Sequence, residues 1–230
     1  MPSRPLKLLS SMATRDVLAA IVARYQRDAA RPVITEAAGG VDVAKRVQAG
    51  EAVDVVILAS NAIDKLIAEH RLLPGSRIDL VRSGIAVAVR AGDPKPQIGS
   101  EQALKKAVAA ARSLSYSTGP SGVYLEKMFE RWGLLADIRG RIVVPPPGVP
   151  VGSLVASGAA ELGFQQLSEL MHVAGIEVIG PLPPAIQSIT VFSGAVAADC
   201  GDPEAARALL EFMASTAVLD IKIRHGMEAA

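Results

Sequence analysis

AKRVQAGEAVDVVILAS, residues Ala44–Ser60, carries a helix end, a stop and a buried strand in one stretch. Val41–Ala49 has the spacing of a short helix, and Gly50 follows it as a left-handed C-terminal residue. Val53–Ala59 (VDVVILA) then reads as a strand of a parallel sheet covered on both faces. Working outward, Leu6–Leu9 and Pro32–Glu36 read as strands. Thr14 is placed to cap a helix running to about Asp28, with Val17, Leu18, Ile21, Val22 and Tyr25 at helical spacing. Ala62–Glu69 is the next helix. Together these elements predict a βαβαβ unit.

The rest of the chain repeats the alternation. Ile78–Arg90 holds two strand-like runs bent at Ser83-Gly84. Gln102–Arg112 reads as helix, Ser113–Ser117 as strand, and Pro120–Trp132 as a helix with proline in its first turn. Arg141–Val144 reads as strand, Val151–Ala156 as helix, and Glu161–Gln165, Ile176–Ile179 and Ile189–Ala197 as strands. Glu204–Ser215 and Ala217–His225 close the chain as helices. The predicted fold is α/β with two lobes, residues 1–83 with 190–230 and residues 84–189. Such folds place their ligand in a crevice outside the carboxyl ends of the strands.

Composition narrows the function. With 24 Lys+Arg against 23 Asp+Glu, the chain lacks the basic excess that nucleic acid demands. Aromatic residues make up only 3% of it, so a ligand site has few rings to stack on. One cysteine excludes an internal disulfide framework. No His/Cys/Asp/Glu cluster has metal-ligand spacing, so neither metal nor cofactor is expected. No apolar run approaches a membrane span, and no export signal opens the sequence. The expectation is a cytoplasmic protein as written, or a periplasmic one if a signal has been removed.

The informative residues follow the strands. Leu9 leads into Ser10-Ser11, and Glu36 into Ala37-Ala38-Gly39-Gly40. Tyr116 leads into Ser117-Thr118-Gly119-Pro120-Ser121-Gly122, and Phe164 into Gln165-Gln166. Most of these loops enter helix N-termini, where free N–H groups favour an anion. Arg15, just inside the first helix, is a candidate fork for a carboxylate. Glu36 is the carboxylate next to a ligand loop. His70, His172 and His225 sit near helix ends and read as structural, and Cys200 has no motif around it.

Three stretches carry a family resemblance: AKRVQAGEAVDVVILAS, PSGVYLEKMFERWGL (Pro120–Leu134) and the terminal IKIRHGM (Ile221–Met227). Over nearly the whole chain the sequence resembles the molybdate-binding branch of the type II periplasmic solute-binding proteins. The resemblance implies that two-lobed fold, a ligand cleft between the lobes, a small anionic ligand and an ABC permease as partner. Matched by position, the family's oxyanion contacts fall on Ser11, Gly40, Ser121, Gly148 or Val149, and Gln166. Ser10, Arg15, Gly39, Ser117, Thr118 and Gly122 complete the candidate ligand-binding set. A serine donor of the family is here Gly40, and a tyrosine donor is Gln166. Each lost bond to a charged ligand is worth about 1.5–3 kcal/mol. The implied ligand is therefore an organic di- or tricarboxylate rather than molybdate. The same branch includes aconitate isomerase, so an allylic proton shift on a tricarboxylate is the alternative activity.

Overall fold

The computed structural model describes residues 4–29, 31–146 and 148–230. The chain divides into two compact units. Unit 1 comprises residues 1–82 and 191–230, and unit 2 residues 83–190.

Unit 1 begins with β1 (Leu6–Ser11), a 3-10 turn at Met12–Thr14, and α1 (Arg15–Ala29). β2 (Val33–Ala38), α2 (Gly40–Gln48), β3 (Val55–Ala59) and α3 (Ser60–Ala68) follow. β1 pairs in parallel with β2, Leu6 opposite Val33 and Ser11 opposite Ala38. On its other side β1 pairs in parallel with β3, Leu8 opposite Val55. Parallel neighbours cannot be joined by tight hairpins, so α1 and α2 are the crossovers.

Strand alternation divides the core. Leu6, Leu8, Val55 and Ile57 pack into one cluster with Val17, Leu18 and Ile21 of α1. Leu9, Val56 and Leu58 pack into another with Val43, Val47, Ile63 and Leu66 of α2 and α3. Both faces of β3 are thus covered, and each fully buried aliphatic side chain contributes about 1.5–3 kcal/mol. Gly50, at φ +84°, ends the α2 segment in the left-handed region.

β4 (Ile78–Arg90) is one continuous strand of 13 residues. The two predicted runs join through Ser83-Gly84 without a break in the strand. Gly84 is there because Gln187 and Ile189 lie against the position a Cβ would take. The division between the units falls inside this strand.

In unit 2, α4 (Glu101–Ala110), β5 (Leu114–Tyr116), α5 (Pro120–Arg131) and α6 (Leu135–Ile138) come next. A 3-10 turn at Arg139–Arg141, α7 (Val151–Ala156), β6 (Leu162–Gln166), α8 (Leu167–Leu170) and β7 (Ile176–Pro181) complete it. β5 and β6 are parallel, with Tyr116 opposite Phe164, and β6 and β7 pair antiparallel with the second half of β4. Ile85, Val87 and Val89 face a core with Leu104, Leu125, Phe129 and Phe164, while Ala86 and Ala88 face Leu170.

The predicted strand Arg141–Val144 reduces to a single bridge between Ile142 and Leu114. Pro145 and Pro146 follow and have no N–H to extend a ladder.

The chain returns to unit 1 along β8 (Ile189–Val196), which pairs antiparallel with β3. α9 (Pro203–Ala214), α10 (Leu219–Arg224) and β9 (Glu228–Ala229) close it. β9, a strand the sequence pattern does not announce, pairs with Val81 and Arg82 of β4. Buried Lys222 of α10 donates from Nζ to the Leu80 carbonyl at 2.9 Å, and burial pulls its ammonium below the usual lysine range.

Asp54, 2% exposed, fixes the start of β3. The Lys7 amide donates to it at 2.8 Å, and the Arg4 guanidinium and the Cys200 thiol donate to its other oxygen. Burial pushes this carboxyl up, but the Lys7 amide, the Cys200 thiol and Arg4 together hold it below the ordinary aspartate value. A depressed carboxyl stabilises the fold above its unfolded pKa and loses that contribution as pH falls through the folded value. Asp54→Asn is therefore expected to lower stability by about 2 kcal/mol at neutral pH. In urea titrations the gap to wild type should close below about pH 4.

Candidate functional site

Two strand-end turns, one in each unit, present backbone amides. In unit 1 the register makes β1 and β2 end level, so Ser10-Ser11 and Ala37-Ala38 leave the sheet together. Ser10 is buried, and its hydroxyl donates to the Glu36 carbonyl at a long 3.5 Å. The Thr14 hydroxyl donates to the Ser11 carbonyl at 3.0 Å, and the Ser11 hydroxyl has a 3.4 Å contact to Thr14 Oγ1. Ser11 spends no side-chain bond on capping the turn that follows it. Its hydroxyl therefore does not make the N-cap bond its sequence position suggests.

Gly39 stands as the residue before α2. The first helical bond runs from the Val43 amide to the Gly39 carbonyl at 2.9 Å. That leaves the amides of Gly40, Val41 and Asp42 outside the ladder, at the positive end of the helix dipole. A Cβ built on Gly40 would lie 3.8 Å from both the Ser11 Cβ and the Leu58 Cδ2. A side chain fits there by ordinary contact, so Gly40 is not imposed by the backbone. The turn also carries Asp42, a carboxylate visible in the sequence two residues beyond Gly40 and missed in reading it.

Two charged candidates are engaged in their own pairs. Arg15 forks Asp16 at 2.8 and 3.2 Å on an exposed helix start. The Glu36 carboxylate accepts from Arg46 at 2.6 Å, which holds it below the usual glutamate value. A carboxylate so stabilised is a weak base.

In unit 2 the turn between β5 and α5 is built on a close approach. A Cβ on Gly122 would overlap the Ser117 carbonyl oxygen, so only glycine permits this turn. Ser117 and Ser121 share a hydrogen bond at 2.8 Å between their hydroxyls. The Val123 amide bonds the Gly119 carbonyl, which leaves the amides of Ser121 and Gly122 outside the ladder. Thr118 is exposed beside them. Ser121 and Gly122 are buried.

The remaining candidates have internal partners. The Val149 amide closes a turn onto the Pro146 carbonyl at 3.0 Å, with Gly148 in the left-handed region. Gln166 is 4% exposed. With its carboxamide turned so that both ends are satisfied, it donates to the carbonyls of Ser83 (2.9 Å) and Gly84 (3.2 Å) and accepts from the Thr190 hydroxyl (2.9 Å). It ties together the two strands that lead out of unit 2. Gln165 accepts from the Val151 amide at 3.1 Å and donates to Glu169 at 2.7 Å, so it caps α7. No spacing in the sequence distinguishes these roles from ligand donation, because both use the same amide groups.

The profile of the bacterial extracellular solute-binding proteins matches residues 6–228. The chain belongs to that family. Its fold is the two-lobed α/β fold of the type II periplasmic binding proteins. It is similar to the periplasmic molybdate-binding protein of Azotobacter vinelandii (TM-score 0.80, 23% identity, 96% of this chain and 98% of that one). It is also similar to the sulfate-binding protein SubI of Mycobacterium tuberculosis (TM-score 0.81, 13% identity, 98% of this chain and 86% of that one). Both likenesses are of fold. In sequence, aconitate isomerase of a Pseudomonas species is 44% identical over 176 residues, 75% of this chain and 66% of that protein. The chain thus matches just under two thirds of that relative's length. Among the described residues no helix is long and apolar enough to cross a membrane, and no group of His, Cys, Asp and Glu is arranged to hold a metal ion.

Gly122→Ala is expected to cost about 3 kcal/mol or to prevent folding, because backbone must move to accept the methyl group. Ser121→Ala, which removes one hydroxyl from the same turn, is expected to cost about 1 kcal/mol. Denaturant midpoints of the two variants check this.

Proposed function

We propose that this solute-binding protein takes a small organic anion, a di- or tricarboxylate, and that strand-end amides and hydroxyls are its contacts. The candidates are Ser11, Gly39 and Gly40 in unit 1, and Ser117, Thr118, Ser121 and Gly122 in unit 2. Ser10 would support Ser11 from beneath. Arg15, Val149 and Gln166 would join only by giving up the bonds described above. In the transport reading the partner is an ABC-type membrane permease.

The observation that carries the choice of ligand is the glycine at position 40, where a side chain would fit in ordinary contact with Ser11 and Leu58. A serine there would suit a compact tetrahedral oxyanion, and its absence leaves room for a ligand with a carbon skeleton. Gly40→Ser is therefore expected to gain at least tenfold in molybdate affinity and to lose at least tenfold for trans-aconitate. Calorimetry with both ligands tests it. Molybdate binding tightly to wild type, with no response to trans-aconitate or citrate, would overturn the carboxylate reading.

A second reading is favoured by the 44% identity to aconitate isomerase. In it the bound tricarboxylate undergoes an allylic proton shift: a base takes a proton from one carbon, and a proton returns at the other end of the allylic system. Fixed amides at the helix starts would hold the carboxylates and stabilise the charge that develops. Glu36 is a poor base because Arg46 holds its charge. Asp42, carried by the same turn as Gly40, is the better candidate. Ultraviolet absorbance after addition of trans-aconitate should change with wild type and fall at least 100-fold in rate with Asp42→Asn, while that variant still binds. Binding without any absorbance change at high protein concentration would leave the transport reading alone.

A further inference from the structure

A cavity of about 270 Å³ lies on unit 2 beside α5 and α6, lined by Tyr116, Glu126, Leu135, Arg139, Ile142 and Val144. Its chemistry differs from that of the anion turns. Opposite charges face it without neutralising each other. Among the described residues, Glu126 makes no ion pair, and its partner is the Tyr116 hydroxyl, which donates to one carboxylate oxygen at 3.1 Å. Arg139 makes no ion pair and no side-chain hydrogen bond among the described residues. An exposed arginine ordinarily finds little gain in a surface pair, but here it shares a concave wall with a fixed carboxylate.

The third component is apolar. Leu135 and Ile142 are half-buried in the wall, and Val144 is 63% exposed. Tyr116 itself is buried, with its ring against Phe129, so it cannot swing away from Glu126. Burial, and next the charge of Glu126, hold its hydroxyl protonated as a donor. The carboxylate is thereby oriented, with its second oxygen left for another donor.

We propose that this cavity binds a zwitterionic α-amino acid with an aliphatic side chain. The ligand carboxylate would meet the Arg139 guanidinium, its ammonium the free oxygen of Glu126, and its side chain the Leu135, Ile142 and Val144 wall. Paired, each protein charge gains an oppositely charged partner, which neither has among the described residues. The volume suits an amino acid and is small for a larger cofactor. Thr118 lines the same cavity and also belongs to the β5–α5 turn. Occupancy would therefore bear on that turn and tune the anion affinity.

Calorimetry and thermal shift on the full chain with L-leucine test the site, with isocaproate (no ammonium) and isoamylamine (no carboxylate) as half-ligands. L-Leucine should bind and raise the melting temperature, and each half-ligand should bind at least tenfold more weakly. Arg139→Gln and Glu126→Gln, folded by circular dichroism, should each weaken L-leucine at least tenfold. Ser121→Ala should leave it unchanged. Absence of binding at millimolar L-leucine overturns the proposal, as does equal binding by Arg139→Gln and Glu126→Gln. Loss in Ser121→Ala alone would assign the amino acid to the anion turn and overturn it equally.

Discussion

Parallel pairing is the constraint on which the rest of the architecture depends. Once β1 lies parallel to β2 and β3, the connections must cross over as helices, and those helices cover both faces of the sheet. The covered faces require the apolar β3, and the level strand ends deliver Ser11 and the Gly39-Gly40 turn to one edge. The β5–β6 pair imposes the same order on unit 2, where the β5 end feeds Ser117 into the start of α5. Helix starts leave their first amides unbonded, so the requirement that closes the core also produces the polar edge.

The scarcity of rings is compatible with the proposed site. An edge of amides, hydroxyls and glycines would recognise charge and hydrogen-bond geometry and would need no stacking surface. The few aromatics are used as core: Phe129 touches Tyr116, Trp132 and Phe164, and Tyr25 packs on Phe212. With a formal net charge of +1, the protein offers no global field to attract an anion. In the proposed reading, recognition would rest on local dipoles, which act within about the first turn of each helix.

Much of this was legible in the chain because periodicity reports burial directly. VDVVILA marks a strand covered on both sides, Gly50 marks the left-handed end before it, and Pro120 marks the start of α5. Legibility stopped where long-range partners decide. Nothing local at Ser83-Gly84 shows that Gln187 and Ile189 will pack over the glycine and keep β4 continuous. Arg141–Val144 has strand composition, but the prolines after it remove the donors a ladder needs. At the site, glycine and serine turns were readable as amide-bearing ends. Whether a given carboxamide faces a ligand or the fold was not. Gln166 meets Ser83, Gly84 and Thr190, residues far from it in sequence, and no spacing rule encodes that meeting.

The central claim is that the amides at the strand ends hold the ligand. Backbone chemical-shift mapping during titration with trans-aconitate tests it most directly. The account predicts the largest amide shifts at Ser11, Gly40, Val41, Ser121 and Gly122. Shifts confined to other surfaces, with these five amides unmoved at saturation, would contradict it.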